Sequence, residues 1–398
     1  MRSVISVLLL LSPLALFGQY TGTGSVSQGL GTTVTANLFS GCAGSRVTAV
    51  GTITSTDGKV WTIPSSTHFA TGPYFPDLYN QCTGIVPANI SAVNVSAIPT
   101  VVIDPGGAII TGYIFGDNYF ELYINGVLVG VDPVPYTPFN SCIVKFQVNY
   151  PYTIAIKLVD WEENLGVGSE LNGGNPYHAG DGGFIASFSD GTATSQTWKA
   201  QTFYIAPIED LSQVVELSDS TRSTASASTS PGCNGGCYAI HYPIPSTWNS
   251  VAFNDAGWPN ATEFSEATVG VTGTLAYTNF SSLWSNAKFI WSSNLILDNE
   301  VLVRHTVIGP SSVPEFSPLT KYIKIYPNPM HNGFHLDLSK ELSYGEINRI
   351  SIYNLYGEEI FETQNISQMV NIGNIPIGLY YLKIYTKENQ YSELITIQ

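Results

Sequence analysis

The chain is short of charge, and above all of positive charge. Charged residues make up 11% of it, with 15 Lys and Arg against 30 Asp and Glu, a formal net charge of −15. Without a basic stripe nothing can displace counterions from a phosphate backbone, which excludes nucleic acid as a partner. Anionic membrane surfaces are disfavoured on the same ground. Beyond the N-terminal run no apolar stretch approaches the roughly 20 residues that cross a bilayer, so no transmembrane segment is expected in the mature chain. His-Glu-x-x-His and Gly-x-Ser-x-Gly are both missing, which removes the zinc-protease helix and the serine-hydrolase elbow. No segment sustains a helical period of good helix formers.

What the chain has in quantity is the material of strands and turns: 37 Gly, 23 Pro and 23 Tyr among its 398 residues. Aromatic and β-branched side chains suit a pleated surface, and Gly and Pro make the turns between short strands. The expected fold class is all-β, a jelly-roll or β-sandwich main region followed by a second, smaller sandwich. Residues 101–205 carry the strongest alternation, with strand candidates at 108–114, 119–124, 127–129, 143–146, 153–159 and 183–188. Asn125-Gly126 separates two of these and signals a tight hairpin. Phe120, Leu122 and Ile124 alternate with Tyr119, Glu121 and Tyr123, which sends the two sets to opposite faces.

The ends differ from the middle. Met1-Arg2-Ser3 and the apolar run from Val4 to Phe17, closed by Gly18, have the layout of a signal peptide over residues 1–18. Residues 19–308 form the main β region, in which the polar stretch 209–236 reads as an exposed loop. Residues 309–320, with three prolines between Gly309 and Pro318, read as a linker, and 321–398 as a separate domain. Export permits disulfides. Cys233 and Cys237 bracket Asn-Gly-Gly and are expected to pair, whereas one of Cys42, Cys82 and Cys142 is left over if all bonds are internal.

Chemistry concentrates in one Gly-rich stretch. Asp160-Trp161-Glu162-Glu163-Asn164 is followed by Gly166, Gly168, Glu170, Asn172, His178 and Asp181. Carboxylates on flexible backbone are hard ligands of the kind calcium takes, so Asp160, Glu162, Glu163 and Asp181 are the candidate metal set. Trp161 offers a face for a sugar ring, with Glu162 and His178 as hydrogen-bonding partners. Asp117-Asn118 reads first as a turn bonding its own backbone and second as a further ligand contact. The same carboxylates could serve a glycosidase, which needs two of them flanking one bond. No catalytic residue is assigned.

Two resemblances extend this reading. Tyr326-Pro327-Asn328-Pro329, Gly333-Phe334, Ile352-Tyr-Asn-Leu-Tyr-Gly357 and Pro376-Ile-Gly-Leu-Tyr380 resemble the C-terminal sorting domain of the bacterial type IX secretion system, over residues 321–398. The resemblance implies an immunoglobulin-like sandwich, the type IX secretion machinery as partner, and a protein secreted or held at the outer-membrane cell surface. The chain ends without the basic residues common in such tails, so anchoring and release both stay open. Phe115 to Gly130 resembles the strand-hairpin signature of galactose-binding-like jelly rolls, over roughly 110–305, with Trp-bearing elements after the signature rather than before it. That second resemblance implies a carbohydrate-binding, lectin-like or adhesive protein with a glycan ligand. A secreted carbohydrate-active hydrolase and a structural or adhesive matrix protein are the alternatives.

Overall fold

The computed structural model describes residues 20–398 except 37, 39–41, 44, 66, 69, 135–137, 161–163, 173–174, 218–220, 225, 310–316, 319–321, 341 and 387–389. The expected signal peptide lies outside the described residues. The chain divides into two compact units, Met1–Gly309 and Pro310–Gln398. Both are built of strands, and the described residues contain one short α-helix, Leu275–Thr278.

Two seven-stranded sheets make the first unit. One runs in the order Ser25–Gln28, Tyr238–His241, Lys199–Ile208, Asp298–Val307, Tyr152–Val159, Tyr119–Ile124 and Val127–Val131. The other runs Thr262–Phe264, Phe289–Trp291, Gly183–Phe188, Ala108–Asp117, Ser141–Val148 and Asp77–Tyr79, with Thr100–Val102 parallel to Ser141–Val148. Their facing sides share one core, in which Ile114, Phe146 and Phe184 meet Phe120, Leu122 and Ile156. Phe120 and Phe184 pack edge to face at 5.7 Å across the gap. The expected hairpin is present, with Asn125 and Gly126 at φ of 51° and 82°, a left-handed pair that Asn and Gly tolerate.

The outer face of the first sheet is also covered. Glu121, Lys157 and Glu300 project from it and are all buried. Lys157 Nζ lies 2.8 Å from Glu300 Oε1, and donates to the carbonyl and hydroxyl of Ser65 at 2.9 and 2.8 Å. Glu121 accepts from the Tyr119 and Tyr123 hydroxyls and from the His68 backbone N–H. The covering layer is a three-stranded sheet, Thr32–Ala36, Ala49–Thr54 and Val60–Ile63, with the segment that follows it. Ala49, Ile53 and Ile63 pack with Tyr204, Ala206 and Ala239 of the first sheet.

The stretch 209–236, expected to be an exposed loop, is partly tied down. Val215–Glu216 pairs with Arg222–Ser223, and the Arg222 guanidinium lies 3.6 Å over the Tyr242 ring and 4.8 Å from that of Phe203. A cation stacked on two rings anchors a segment whose composition carries too few apolar residues to do so. The expected Cys233–Cys237 bridge is formed, with Cα atoms 5.3 Å apart. A second bridge joins Cys42 to Cys82, which leaves Cys142 free and buried.

The second unit is a small immunoglobulin-like sandwich. Its larger sheet runs Ser317–Pro318, Gln390–Ile397, Gly378–Thr386, Ile347–Tyr353 and Glu359–Thr363. The smaller runs Ile323–Tyr326, Gly333–Leu338 and Met369–Asn371. Phe334, Leu336, Ile350, Ile352, Leu382 and Ile395 fill the space between.

His241 ties three elements of the first unit together. Its ring stacks between Trp61 at 5.3 Å and Tyr204 at 5.0 Å, and Nε2 lies 2.7 Å from Ser27 Oγ. Burial pushes its pKa from the ordinary 6.5 down to about 4, with Asp57 opposing. An unfolded chain therefore takes up a proton that the folded one refuses, and this contribution to stability falls as pH drops from 6.5 toward 4. The size is about 3 kcal/mol at most. Urea titrations of wild type and His241→Gln across that range should show a shallower pH slope in the variant, and parallel slopes would refute the assignment.

Candidate functional site

Asp117, Asn118, Asp160 and Asp181 of the expected site meet where the chain crosses between the two large sheets. Ala108–Asp117 belongs to one sheet and Tyr119–Ile124 to the other, with Asn118 as the corner between them. Register does the rest. Asp117 pairs with Gly183, which brings Asp181 close, and Tyr119 pairs with Val159, which places Asp160 beside the corner. Asp160 in turn lies across from Asn299, whose carbonyl accepts its backbone N–H at 3.0 Å.

Burial raises the Asp117 carboxyl well above the usual range, and the charges of Asp160, Asp181 and Glu170 raise it further, against the pull of Arg46. Asp160 moves the same way for the same reason, burial first and then Asp181 and Glu170. Asp181 is half-buried and pushed up to about 6 by burial and then Glu170, with His178 opposing. Arg46 pairs with Glu170, and His178 Nδ1 stands 3.7 Å from the other oxygen of that carboxylate. The corner thus gathers four carboxylates around one arginine and one histidine.

The described members of the expected set each have a place. Asp117 and Asn118 are 3% and 5% exposed, and the Asn118 amide donates to Asp117 Oδ1 at 2.7 Å. The Asn118 backbone N–H goes to the Val159 carbonyl on the neighbouring strand rather than closing a local turn. His178 is exposed at the rim. Trp161, Glu162 and Glu163 lie outside the described residues, so of the expected calcium set only Asp160 and Asp181 have a described place. Among the described residues no group of three or more His, Cys, Asp or Glu side chains is set to hold a metal ion. Arg46 and Asn299 join the corner through tertiary pairing alone, and nothing in their local sequence announces it.

The loop 164–170 closes over this corner through its glycines. Gly166 and Gly168 have φ of +92° and +55°. A Cβ on Gly168 would stand 2.1 Å from Asn299 Nδ2 and 2.8 Å from Ala206 Cβ.

A separate concavity of about 530 Å³ opens at the other sheet. Beneath it lie core aromatic side chains only 2–4% exposed: Tyr277 stacks on Trp284 at 5.2 Å and meets Phe289 at 5.1 Å. Its rim is polar and exposed, with Glu266, Lys288 and the hydroxyls of Ser265, Thr272, Ser281 and Ser285. The Tyr277 hydroxyl donates to Glu266 Oε1 at 2.7 Å, which couples core to rim. The pairing of Phe264 with Phe289 and the short helical turns at 271–284 bring these residues together. The aromatic residues of 264–289 belong to the main core, and the polar rim residues above them carry no local pattern that marks a site.

In the second unit the Tyr326-Pro327-Asn328-Pro329 segment is laced to the last strand. Asn328 Oδ1 accepts from the Thr396 backbone N–H at 2.9 Å, and the Met330 N–H donates to the Thr396 carbonyl at 2.8 Å. Tyr326 stacks on His335 at 5.3 Å. Residues 324–398 match the family model described as the secretion system C-terminal sorting domain. The C-terminal unit is a type IX secretion sorting domain. A chain carrying this sorting domain is secreted or displayed at the cell surface, and the domain makes the secretion machinery its partner. No helix among the described residues is long and apolar enough to cross a membrane.

Outside the sorting domain the comparisons carry little. No curated protein matches the chain. A solved structure of PorZ, an essential bacterial surface component of the type-IX secretion system of Porphyromonas gingivalis, shares 16% identity over 25% of this chain and 14% of that one, with a TM-score of 0.17. A β-glucuronidase from an uncultured Clostridium sp. shares 9% identity over 73% of this chain and 32% of its own, at a TM-score of 0.15. One from Faecalibacterium prausnitzii shares 8% over 94% and 45%, at 0.16. The chain spans less than half the length of each, and at such TM-scores neither fold nor activity passes from them to this chain.

Two outcomes follow. Gly168→Ala should lower stability by about 1–3 kcal/mol, from its left-handed backbone and the crowding of Asn299; an unchanged denaturation midpoint would show that the loop is not packed there. Deleting residues 321–398 should leave the chain inside the outer membrane, as read by immunoblots of periplasmic and culture fractions, and continued export would show that the sorting domain is dispensable.

Proposed function

We propose that this chain is a carbohydrate-binding protein that the type IX secretion system delivers to the cell exterior, with the cleft rimmed by Glu266 and Lys288 as its sugar subsite. The observation that carries the reading is the cleft itself. The exposed Glu266 carboxylate, Lys288 ammonium and surrounding hydroxyls offer hydrogen bonds to sugar hydroxyls above a base of core aromatic side chains. Its volume falls in the range of small-molecule sites. Export supports the reading, because extracellular glycans are the polymers such a protein meets. The hydrolase alternative, which would draw a carboxylate pair from residues 160–181, has less support: Asp160 is enclosed in the sandwich.

A glycan array probed with the full chain should show binding to a restricted set of neutral sugars. Glu266→Gln and Lys288→Ala, both at exposed rim positions, should each weaken that binding by roughly tenfold, the worth of one hydrogen bond to a charged group, without lowering Tm. An array blank for the wild-type chain, or rim variants that bind as well as wild type, would remove the cleft from consideration.

A further inference from the structure

A partner can read the sorting domain only from its surface, since the core residues between its two sheets are closed to any contact. Three large apolar residues stand out on that surface: Leu355, Tyr356 and Ile377 are 58%, 97% and 82% exposed. Single exposed apolar residues are ordinary, but several gathered in one place mark a contact surface. Strand register gathers these three. Ile347–Tyr353 and Gly378–Thr386 are antiparallel neighbours with Tyr353 paired to Tyr381, so the turn after Tyr353 and the segment before Gly378 emerge at the same end of the larger sheet. Gly378 also pairs with Ile397, and Asn328 and Met330 bond to Thr396, which brings the Tyr326–Pro329 segment to that end as well.

The turn that carries two of the three is fixed by its own hydrogen bonds. Asn354 Oδ1 accepts from the N–H groups of Tyr356 and Glu358 at 3.0 Å each, and the Asn354 N–H donates to the Glu358 carbonyl at 2.9 Å. Gly357 closes the turn with a φ of 82°. Backbone bonds therefore hold Leu355 and Tyr356 outward, and packing of their side chains plays no part. An aromatic ring held in place and clear of its neighbours loses little freedom on binding, and Tyr is among the residues that most often anchor an interface. We propose that this end of the sandwich is the surface that the type IX secretion machinery holds, with Leu355, Tyr356 and Ile377 as its contact residues. The family match makes that machinery the domain's partner, so the occupant is a component of the export apparatus with an apolar recess for these side chains. The inference rests on that match and is independent of the sugar subsite.

The test is export of the full chain from a bacterium with a working type IX system, read by immunoblots of periplasmic and exterior fractions. Leu355→Ser, Tyr356→Ser and Ile377→Ser combined should cut the exterior fraction by roughly tenfold or more, the scale of losing an interface anchor, with the chain accumulating in the periplasm. The purified triple variant should keep the wild-type Tm, because none of the three side chains is buried. Tyr356→Phe keeps the ring and should export like wild type. Met369→Ser removes an exposed apolar residue of the smaller sheet and should do the same. A triple variant exported as well as wild type overturns the proposal. So does an equal loss with Met369→Ser, which would make the effect one of apolar surface in general. A wild-type dimer that the triple variant dissolves assigns the patch to a second copy of the chain and overturns it too. Should the triple variant melt early, Tyr356→Ser alone decides by the same readout. Export that survives deletion of 321–398 would overturn the domain's assignment along with the proposal, so the two failures are told apart.

Discussion

The first unit depends on how it covers three buried charges. Glu121, Lys157 and Glu300 stand on the outer face of a sheet whose inner face is already committed to the main core. Taking such charges out of water is costly unless each is paired and hydrogen-bonded, and removing one partner of a buried pair typically costs about 3–5 kcal/mol. The segment at 65–68 meets that requirement with the Ser65 carbonyl and hydroxyl and the His68 N–H. The small sheet of Thr32–Ala36, Ala49–Thr54 and Val60–Ile63 is therefore not an appendage: with the segment after it, it is the lid that makes a polar outer face tolerable inside the protein. The same lid supplies Ile63 and Pro64, one wall of a small cavity behind Asp160.

The acidic corner follows from topology rather than from clustering along the chain. Asp117, Asp160 and Asp181 are separated by more than 60 positions from first to last, yet strand pairing places them around one crossing between sheets. Burial and mutual repulsion then raise their carboxyls together, which favours the neutral acids over a cluster of buried negative charge. Arg46 and His178 offset part of this from the rim, both through Glu170.

This division explains what could be read in advance. The alternation of Phe120, Leu122 and Ile124, the Asn125-Gly126 turn and the sorting motifs are local patterns, and each appears in the structure where its pattern puts it. Glu121 shows the limit. Alternation assigns it to an outer face but cannot say that a segment more than 50 residues earlier in the chain buries that face. Arg222 shows it again, since its stacking on Tyr242 and Phe203 anchors a stretch whose composition argues for an exposed loop. Gly168 makes room for the Asn299 amide across 131 positions of chain, a relation that neither residue's neighbours announce. Tyr277, Trp284 and Phe289 are core, as aromatic residues are read by default, and only the tertiary arrangement brings the polar residues Glu266 and Lys288 together above them.

Cysteine usage links the two units' histories. A sorting domain sends the chain into surroundings where thiols oxidise, and a lone exposed cysteine there invites cross-linking between molecules. Cys42 and Cys82 are removed from that hazard by pairing, which closes a loop of 40 residues and, on the chain-entropy account, stabilises the fold by about 4 kcal/mol. That bridge lies in the N-terminal lid region, where the buried charges make loss of the cover most damaging. Cys142 is protected by a different device. Its thiol is wholly buried in the main core beside the Asn140 amide, and burial, then the charges of Asp132 and Asp77, push its pKa well up, so the reactive thiolate does not form. An odd cysteine in an exported chain is thus accounted for by packing: the same core that holds the two sheets together keeps its one free thiol out of reach.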